Sequence, residues 1–268
     1  AHVTSHGRLD VIAKAEESIS FETSAAVDQR DLDTQLPGDP NAPEDKKKVA
    51  ISASVAVIDM KHHADALIGD GAVIKADGAI SVLSQSLITP FYQQWLDLID
   101  AFKTMDWNSA TAWKTLGENL YELAGDPVGA TSWTQTAVES EKLAFAGAVD
   151  FFKVDQKATA KIGDADINVG MTPTAAQDVT VSAYARQGVL NLVGVPEFDP
   201  STLPTGNSNT NSGAAGFGGS YHQYNLTGGT DASIARGATV LADDVAVAAE
   251  TDFDQIILSE TIGKAGKV

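Results

Sequence analysis

The chain contains no cysteine and few basic residues. The absence of cysteine excludes disulfide bonds and thiolate metal sites. Only 18 lysines and arginines oppose 36 aspartates and glutamates, which gives a formal charge of −18. Nucleic acids and anionic membrane surfaces attract basic proteins, so we expect neither as a partner. No apolar run is long enough to cross a bilayer, so we predict no membrane insertion of this segment.

The sequence also lacks an initiating methionine and a signal-peptide pattern, since it starts at Ala1 within ordinary polar sequence. We therefore interpret it as a segment of a longer polypeptide. Hydrophobic residues make up 43% of the 268 residues, which is enough to form a substantial core. A folded rather than a disordered chain is expected.

An internal repeat is the main positive signal. Three stretches of 20 residues align without a gap, and each ends in isoleucine: Val49–Ile68, Leu143–Ile162 and Ala215–Ile234. The first is followed by "GDGAVIKADGAISVLSQS", and the other two by shorter, related sequences. The N-terminal "GRLDVIAKA" (7–15) matches "GAISVLSQS" (78–86), so the chain begins midway through a repeat.

Period-two alternation within each repeat predicts short strands separated by Gly and Asp turns. We assign one set of residues to the interior: Val55, Val57, Ala64, Ala66, Ile68, Val73, Ile80 and Val82. Small and β-branched side chains suit the narrow interior of stacked coils. The predicted fold class is all-β, a parallel β-helix (solenoid) with an inserted αα-hairpin.

The run "SVAVIDMKHHADALIGDGAVIKADGAISVLSQS" resembles the repeats of large bacterial surface adhesins, the filamentous-haemagglutinin-like and leukotoxin-like families. The resemblance covers roughly half of the chain. It weakens in the second copy, where "GDAD" loses a glycine, and in the third, where Ala235-Arg236-Gly237 replaces "GDG". The resemblance implies export to the bacterial cell surface, no cofactor, and a structural or adhesive role.

Three segments depart from the repeat, and the chain is otherwise predicted to be one β-helix segment over residues 1–268. Residues 16–48 are rich in charge, Pro and Gly and are expected to form a long exposed loop. Residues 201–219 form an Asn/Ser/Gly-rich stretch, for which we predict a second loop. Residues 89–125 carry helical periodicity, a Thr89-Pro90 start and a Gly125 stop, which predict the αα-hairpin.

The hairpin is the first candidate site, since it concentrates aromatic residues. We predict a partner-binding surface made of Trp95, Trp107, Trp113 and Tyr121. The alternative is that these side chains pack on the flank of the β-helix. The expected partners are other copies or segments of the same giant protein, with a cell-surface or polysaccharide ligand as a further candidate.

Acidic turns are the second candidate site. Asp70, Asp77, Asp164 and Asp243 occupy related turns, and calcium bound among them is the only cofactor that we consider. The alternative is that the glycines permit turns with positive φ and the aspartates cap them. His62 and His63 are adjacent and must point to opposite faces of a strand, which is poor geometry for one metal ion.

We expect a structural or adhesive segment of a giant extracellular bacterial surface protein, a stiff rod for cell-surface or cell–cell attachment, and no enzyme. The alternative is a β-helical polysaccharide lyase or glycoside hydrolase that uses clustered carboxylates. Asp59, Asp150 and Asp155 are the carboxylates that neighbouring coils could bring together. Nucleophilic catalysis has no sequence support, because the chain lacks cysteine and a G-x-S-x-G motif.

Overall fold

The computed structural model describes seven parts of the chain: residues 1–28, 49–88, 130–140, 143–193, 210–212, 215–259 and 263–265. Within them every regular element is a β-strand, so the all-β prediction is confirmed for the described residues. The αα-hairpin predicted at 89–125 lies outside them. No helix among the described residues is long and apolar enough to cross a bilayer.

Fifteen strands are described, numbered in chain order. They are β1 (His2–Ser5), β2 (Leu9–Glu16), β3 (Ile19–Asp28), β4 (Val49–Ile68), β5 (Val73–Ala76), β6 (Ile80–Ile88), β7 (Ala130–Ser140), β8 (Leu143–Ile162), β9 (Asp166–Ile167), β10 (Val179–Val193), β11 (Thr210–Ser212), β12 (Ala215–Ile234), β13 (Thr239–Val240), β14 (Val245–Ser259) and β15 (Gly263–Ala265).

The strands form three sheets, and every pairing between strands is parallel. The long sheet has the order β12-β8-β4, and the short sheet has the order β1-β5-β9-β13. The split sheet contains the remaining eight strands. Along the sequence the chain visits the long, short and split sheets in that order three times, after an N-terminal visit to the short and split sheets.

The strand register confirms the internal repeat. The three 20-residue stretches are β4, β8 and β12, which pair residue by residue without a gap. Their closing isoleucines, Ile68, Ile162 and Ile234, therefore lie side by side. The N-terminal match is confirmed as well, because Leu9 pairs with Ile80 and the register continues along β2 and β6.

In the split sheet one strand position is divided between two segments. β6 pairs with β10 as far as Gln187, and β7 pairs with β10 from Val189 onward. Ile88 thus pairs with Gln187 and Ala130 with Val189, so the register is continuous on both sides of Gly188. The next strand position is divided at the same column, because β2 pairs with β6 and β3 pairs with β7. Ile19, the first residue of β3, pairs with Ala130, which in turn pairs with Val189 of β10.

Two loop predictions were wrong in part. Ile19–Asp28, which was assigned to the charged loop, forms β3 beside β7. The run of charge and proline that suggested a loop begins at Asp28, the last residue of β3, whereas Ile19, Phe21, Ala25 and Val27 follow the period-two spacing of a strand. Thr210–Ser212 and the first residues of β12 are strands inside the predicted Asn/Ser/Gly-rich loop. Residues 29–48 and 201–209 lie outside the described residues.

The long and split sheets pack face to face, and the core lies between them. Even-numbered residues of β4 and β8 point inward, as Ala66 does with 2% of its surface exposed. The assignment of Val55 and Val57 to the interior was wrong, because they have the opposite parity and are 55% and 73% exposed. Val73 is only half-buried, while its neighbours Ala72 and Ile74 are buried.

The core is layered along the strand direction. An apolar cluster next to the short sheet includes Ala66, Ile74 and Val181. A second apolar cluster is centred on Phe152, and a third consists of Ala50, Ala144 and Ala146. Buried polar side chains separate these clusters: Gln156 and His62 before the second, and Asp150 after it.

Candidate binding face

The outer face of the long sheet is formed by the odd-numbered residues of β4, β8 and β12. Because the three strands pair in register, these residues form columns that run across the strands. The outward columns at one end of the sheet are Ile51–Phe145–Phe217, Ala53–Gly147–Gly219, Val55–Val149–Tyr221 and Val57–Phe151–Gln223. We call this group of columns the apolar half.

The apolar half reverses the usual distribution of side chains between core and surface. In β4 the inward residues here are Ala50, Ser52, Ser54 and Ala56, whereas the outward ones are Ile51, Ala53, Val55 and Val57. Phe217 and Tyr221 of β12 are more than half exposed. The rings of Phe145 and Phe217 stack with their centroids 5.3 Å apart. A contiguous exposed apolar patch of this kind is typical of an interaction site.

The remaining outward columns form the charged half of the same face. Lys153 Nζ lies 3.2 Å from Asp59 Oδ2, and His63 Nε2 lies 3.3 Å from Asp155 Oδ2. Both pairs join neighbouring strands β4 and β8. The boundary between the two halves falls between the column of Val57 and the column of Asp59.

Asp150 is the centre of the first interior polar layer. Its side chain is fully buried, and its Oδ2 accepts hydrogen bonds from Ser132 Oγ at 2.8 Å and Asn191 Nδ2 at 2.7 Å. His222 Nδ1 lies 3.9 Å from the same oxygen. Ser132 donates to the carboxylate and not to the imidazole, so these residues do not form a serine–histidine relay. They connect the split sheet to the long sheet through the core.

The second polar layer contains His62 and Gln156. His62 Nδ1 lies 2.8 Å from Ser86 Oγ, which itself donates to the His62 carbonyl at 3.0 Å. The hydroxyl proton is thereby used, so Nδ1 carries the imidazole proton. Gln156 Nε2 donates to the carbonyls of Ser86 and Arg186, at 2.8 and 2.9 Å. Burial lowers the pKa of both His62 and His222, which keeps the two rings neutral near pH 7.

The four aspartates proposed for calcium lie at two different corners. Asp70 and Asp164 follow the long sheet, where Asp70 Oδ1 accepts a hydrogen bond of 2.8 Å from the Asp164 backbone N–H. Asp77 and Asp243 lie between the short and split sheets, and Asp77 pairs with His6 at 3.2 Å. Gly71, beside Asp70, has φ of 68°, as a turn glycine requires.

A different acidic group forms at the second corner. Among the described residues, Asp178, Asp243 and Asp244 are the three acidic residues whose oxygens lie within 4.8 Å of one another. Two of them are exposed, and such groups are common without an ion. Only Asp243 belongs to the set predicted from the sequence.

The other predicted residues do not meet in the described structure. Trp95, Trp107, Trp113 and Tyr121 lie outside the described residues. Asp59 and Asp155 point outward and take part in ion pairs, while Asp150 is buried on the opposite side of the sheet. The three carboxylates therefore do not line one groove.

Sequence reasoning missed the apolar half because it assigned all apolar residues of the alternating pattern to the interior. The signal was present in the change of parity between Val57 and Ala64. Two inward sets of opposite parity cannot belong to one regular strand, so one of them had to face outward.

Comparisons of the chain with protein-family models, with curated proteins and with solved structures found no match.

Proposed function

We propose that the chain is a parallel β-helix segment of a large extracellular bacterial surface protein, in which stacked coils form a stiff rod for attachment. Three in-register visits to the same three sheets support this proposal, because each coil then contacts only its neighbours. The resemblance of the repeat to adhesin repeats supports the location.

The observation that carries the adhesive role is the apolar half of the long sheet. A rod with only a spacer role needs a polar outer surface, and the charged half of the same sheet has one. Ile51, Val57 and Phe217 instead expose more than half of their surface on one side of the rod. Exposed apolar area of this kind is retained where a partner covers it.

Immunogold electron microscopy of intact source cells, with an antibody raised to this segment, tests the proposal. Label along fibres or on the outer surface is the expected result. Label found only in the medium, on particles the size of a single domain, would contradict it and would favour a secreted enzyme.

A further inference from the structure

A shallow groove follows the boundary between the apolar and charged halves of the long sheet. Its volume is about 230 Å³, and it is lined on the outer face by six residues: Val57, Phe151, Gln223, Asp59, Lys153 and Asn225. They are two adjacent columns, one from each half, and they cross all three strands. The groove therefore has one mainly apolar wall and one polar wall.

We propose that this groove binds a neutral saccharide, an inference that rests on the proposed adhesive function. A sugar ring presents C–H groups on its faces and hydroxyls around its edge. Phe151, which is 39% exposed, and Val57 supply apolar contact for a ring face. Gln223 and Asn225 carry amides that can both donate to and accept from hydroxyls.

The local charge favours an uncharged ligand. Four lysines and four aspartates project from this face, so its formal charge is 4 − 4 = 0, in a chain of charge −18: Lys61, Lys153, Lys157, Lys161, Asp59, Asp65, Asp155 and Asp231. Within the groove, Lys153 and Asp59 neutralise each other at 3.2 Å. An anionic polymer would meet the field of the whole acidic chain, whereas a neutral saccharide would not.

The size of the apolar half favours a small ligand over a protein. The seven residues from Ile51 to Val57 span about 20 Å, and three strands span about 10 Å. The area projected onto the sheet is therefore on the order of 200 Å², whereas each partner in a stable protein interface buries roughly 800 Å² of accessible surface.

Two glycines of the apolar half, in the column of Ala53 and two columns from the groove, leave the backbone open to a ligand that extends along the face. Gly147 and Gly219 lie in mid-strand with no positive φ, and a Cβ added to either would meet nothing within 4 Å. Neither backbone conformation nor packing within the described residues requires glycine there. Glycine in a strand interior often marks a bulge, a tight bend, or a close approach by a ligand or another backbone, and both glycines here pair in regular register.

Isothermal titration calorimetry with cellohexaose and chitohexaose tests the inference, with an oligogalacturonate as the anionic comparison. We expect at least one neutral hexasaccharide to bind and the oligogalacturonate not to bind. Phe151→Ala should weaken binding about tenfold or more, and Asn225→Ala by a smaller factor, because aromatic contact dominates such sites. The matched control is Ile12→Ser, which removes an exposed apolar side chain from the outer face of the split sheet.

Three results would overturn the inference: no binding of either neutral hexasaccharide at millimolar concentration, equal binding by Phe151→Ala and wild type, or preferential binding of the oligogalacturonate. Sedimentation that reveals dimers lost in Phe151→Ala would assign the face to a second copy instead. Beads coated with the segment separate this inference from the proposed function. If the beads attach to source cells both with Phe151 and with the Phe151→Ala substitution, the adhesive role is retained and the groove is excluded as the site of attachment.

Discussion

Small inward residues set the spacing between the long and split sheets. Ala66 lies 2% exposed in the apolar cluster beside the short sheet, together with Ala158 and Ala160 of the next strand. Side chains of this size leave no room for a large substituent, since protein interiors are close-packed.

Replacing Ala66 with tryptophan should therefore overpack the core and lower the free energy of unfolding by about 1–3 kcal/mol or more. Urea denaturation followed by circular dichroism measures the change. Leu67→Trp is the matched control, because Leu67 is adjacent and 54% exposed, and we expect it to be nearly neutral. An unchanged midpoint for Ala66→Trp would contradict the inward position.

Buried histidines should make stability depend on pH. Burial lowers the pKa of His62 and His222 below the ordinary value of 6.5. Between those lowered pKa values and 6.5, the unfolded chain therefore binds more protons than the folded chain. The contribution of the two neutral histidines to the free energy of unfolding is fully present above about pH 6.5, and it is lost as the pH falls toward the folded-state pKa values.

Thermal unfolding from pH 7.5 to 5.0 measures this effect. His62→Gln keeps a donor for Ser86 but does not titrate, so its melting temperature should fall less over this range than that of the wild type. If the melting temperature of His62→Gln fell with pH as steeply as that of the wild type, this result would contradict a neutral, buried His62.

At the scale of the element, glycines have different roles along the same strand. Gly228 of β12 has φ of 115°, and a Cβ there would collide with the backbone carbonyl of Gln156 on β8. Gly219, nine residues earlier, has no neighbour within 4 Å of an added Cβ. The first glycine is required by the fold, whereas the second is free of any steric demand from the described chain.

Gly228→Ala should consequently lower stability by more than about 1 kcal/mol, because it adds backbone strain to a collision with main-chain atoms. Gly219→Ala should be neutral or slightly stabilising, since alanine loses less conformational entropy than glycine in a strand. Differential scanning calorimetry of the two variants makes the comparison. Equal melting temperatures would contradict the close approach of β12 to β8 at this point.

The repeat made the strands and their register predictable, because three gapless copies ending in isoleucine can stack in only one alignment. β3 was not predictable from composition, since the charged residues after it obscured its alternation. The exposed apolar half of the long sheet was missed for another reason. Apolar residues such as Val55 and Val57 are inward by default, so the parity difference between them and Ala64 was overlooked, and their exposure shows that this strand reverses the rule.

The interior polar layers were also outside the reach of sequence reasoning. Asp150 is identical in type to the surface aspartates, and only the meeting of β7, β8 and β10 places Ser132 and Asn191 around it. A buried carboxylate is costly unless it is hydrogen-bonded, and Ser132 and Asn191 both donate to one oxygen of Asp150.

In the whole molecule, segments that are far apart in sequence stack in register in all three sheets. The chain has no cysteine, so introduced pairs can report this register without interference. Neighbouring parallel strands lie about 4.8 Å apart, which is within the range for a disulfide. A slip of two residues increases the separation to roughly 8 Å, which is outside that range.

Disulfide formation between paired cysteines is therefore the most direct measurement. One outward pair is available in each sheet: K61C with D155C in the long sheet, S182C with A248C in the split sheet, and T4C with K75C in the short sheet. We expect all three pairs to oxidise readily and to leave the circular dichroism spectrum unchanged. K61C with K157C, which is offset by two residues from the pairing in the structure, should stay reduced. In-register pairs that stay reduced, or a slipped pair that oxidises equally well, would contradict the stacked architecture.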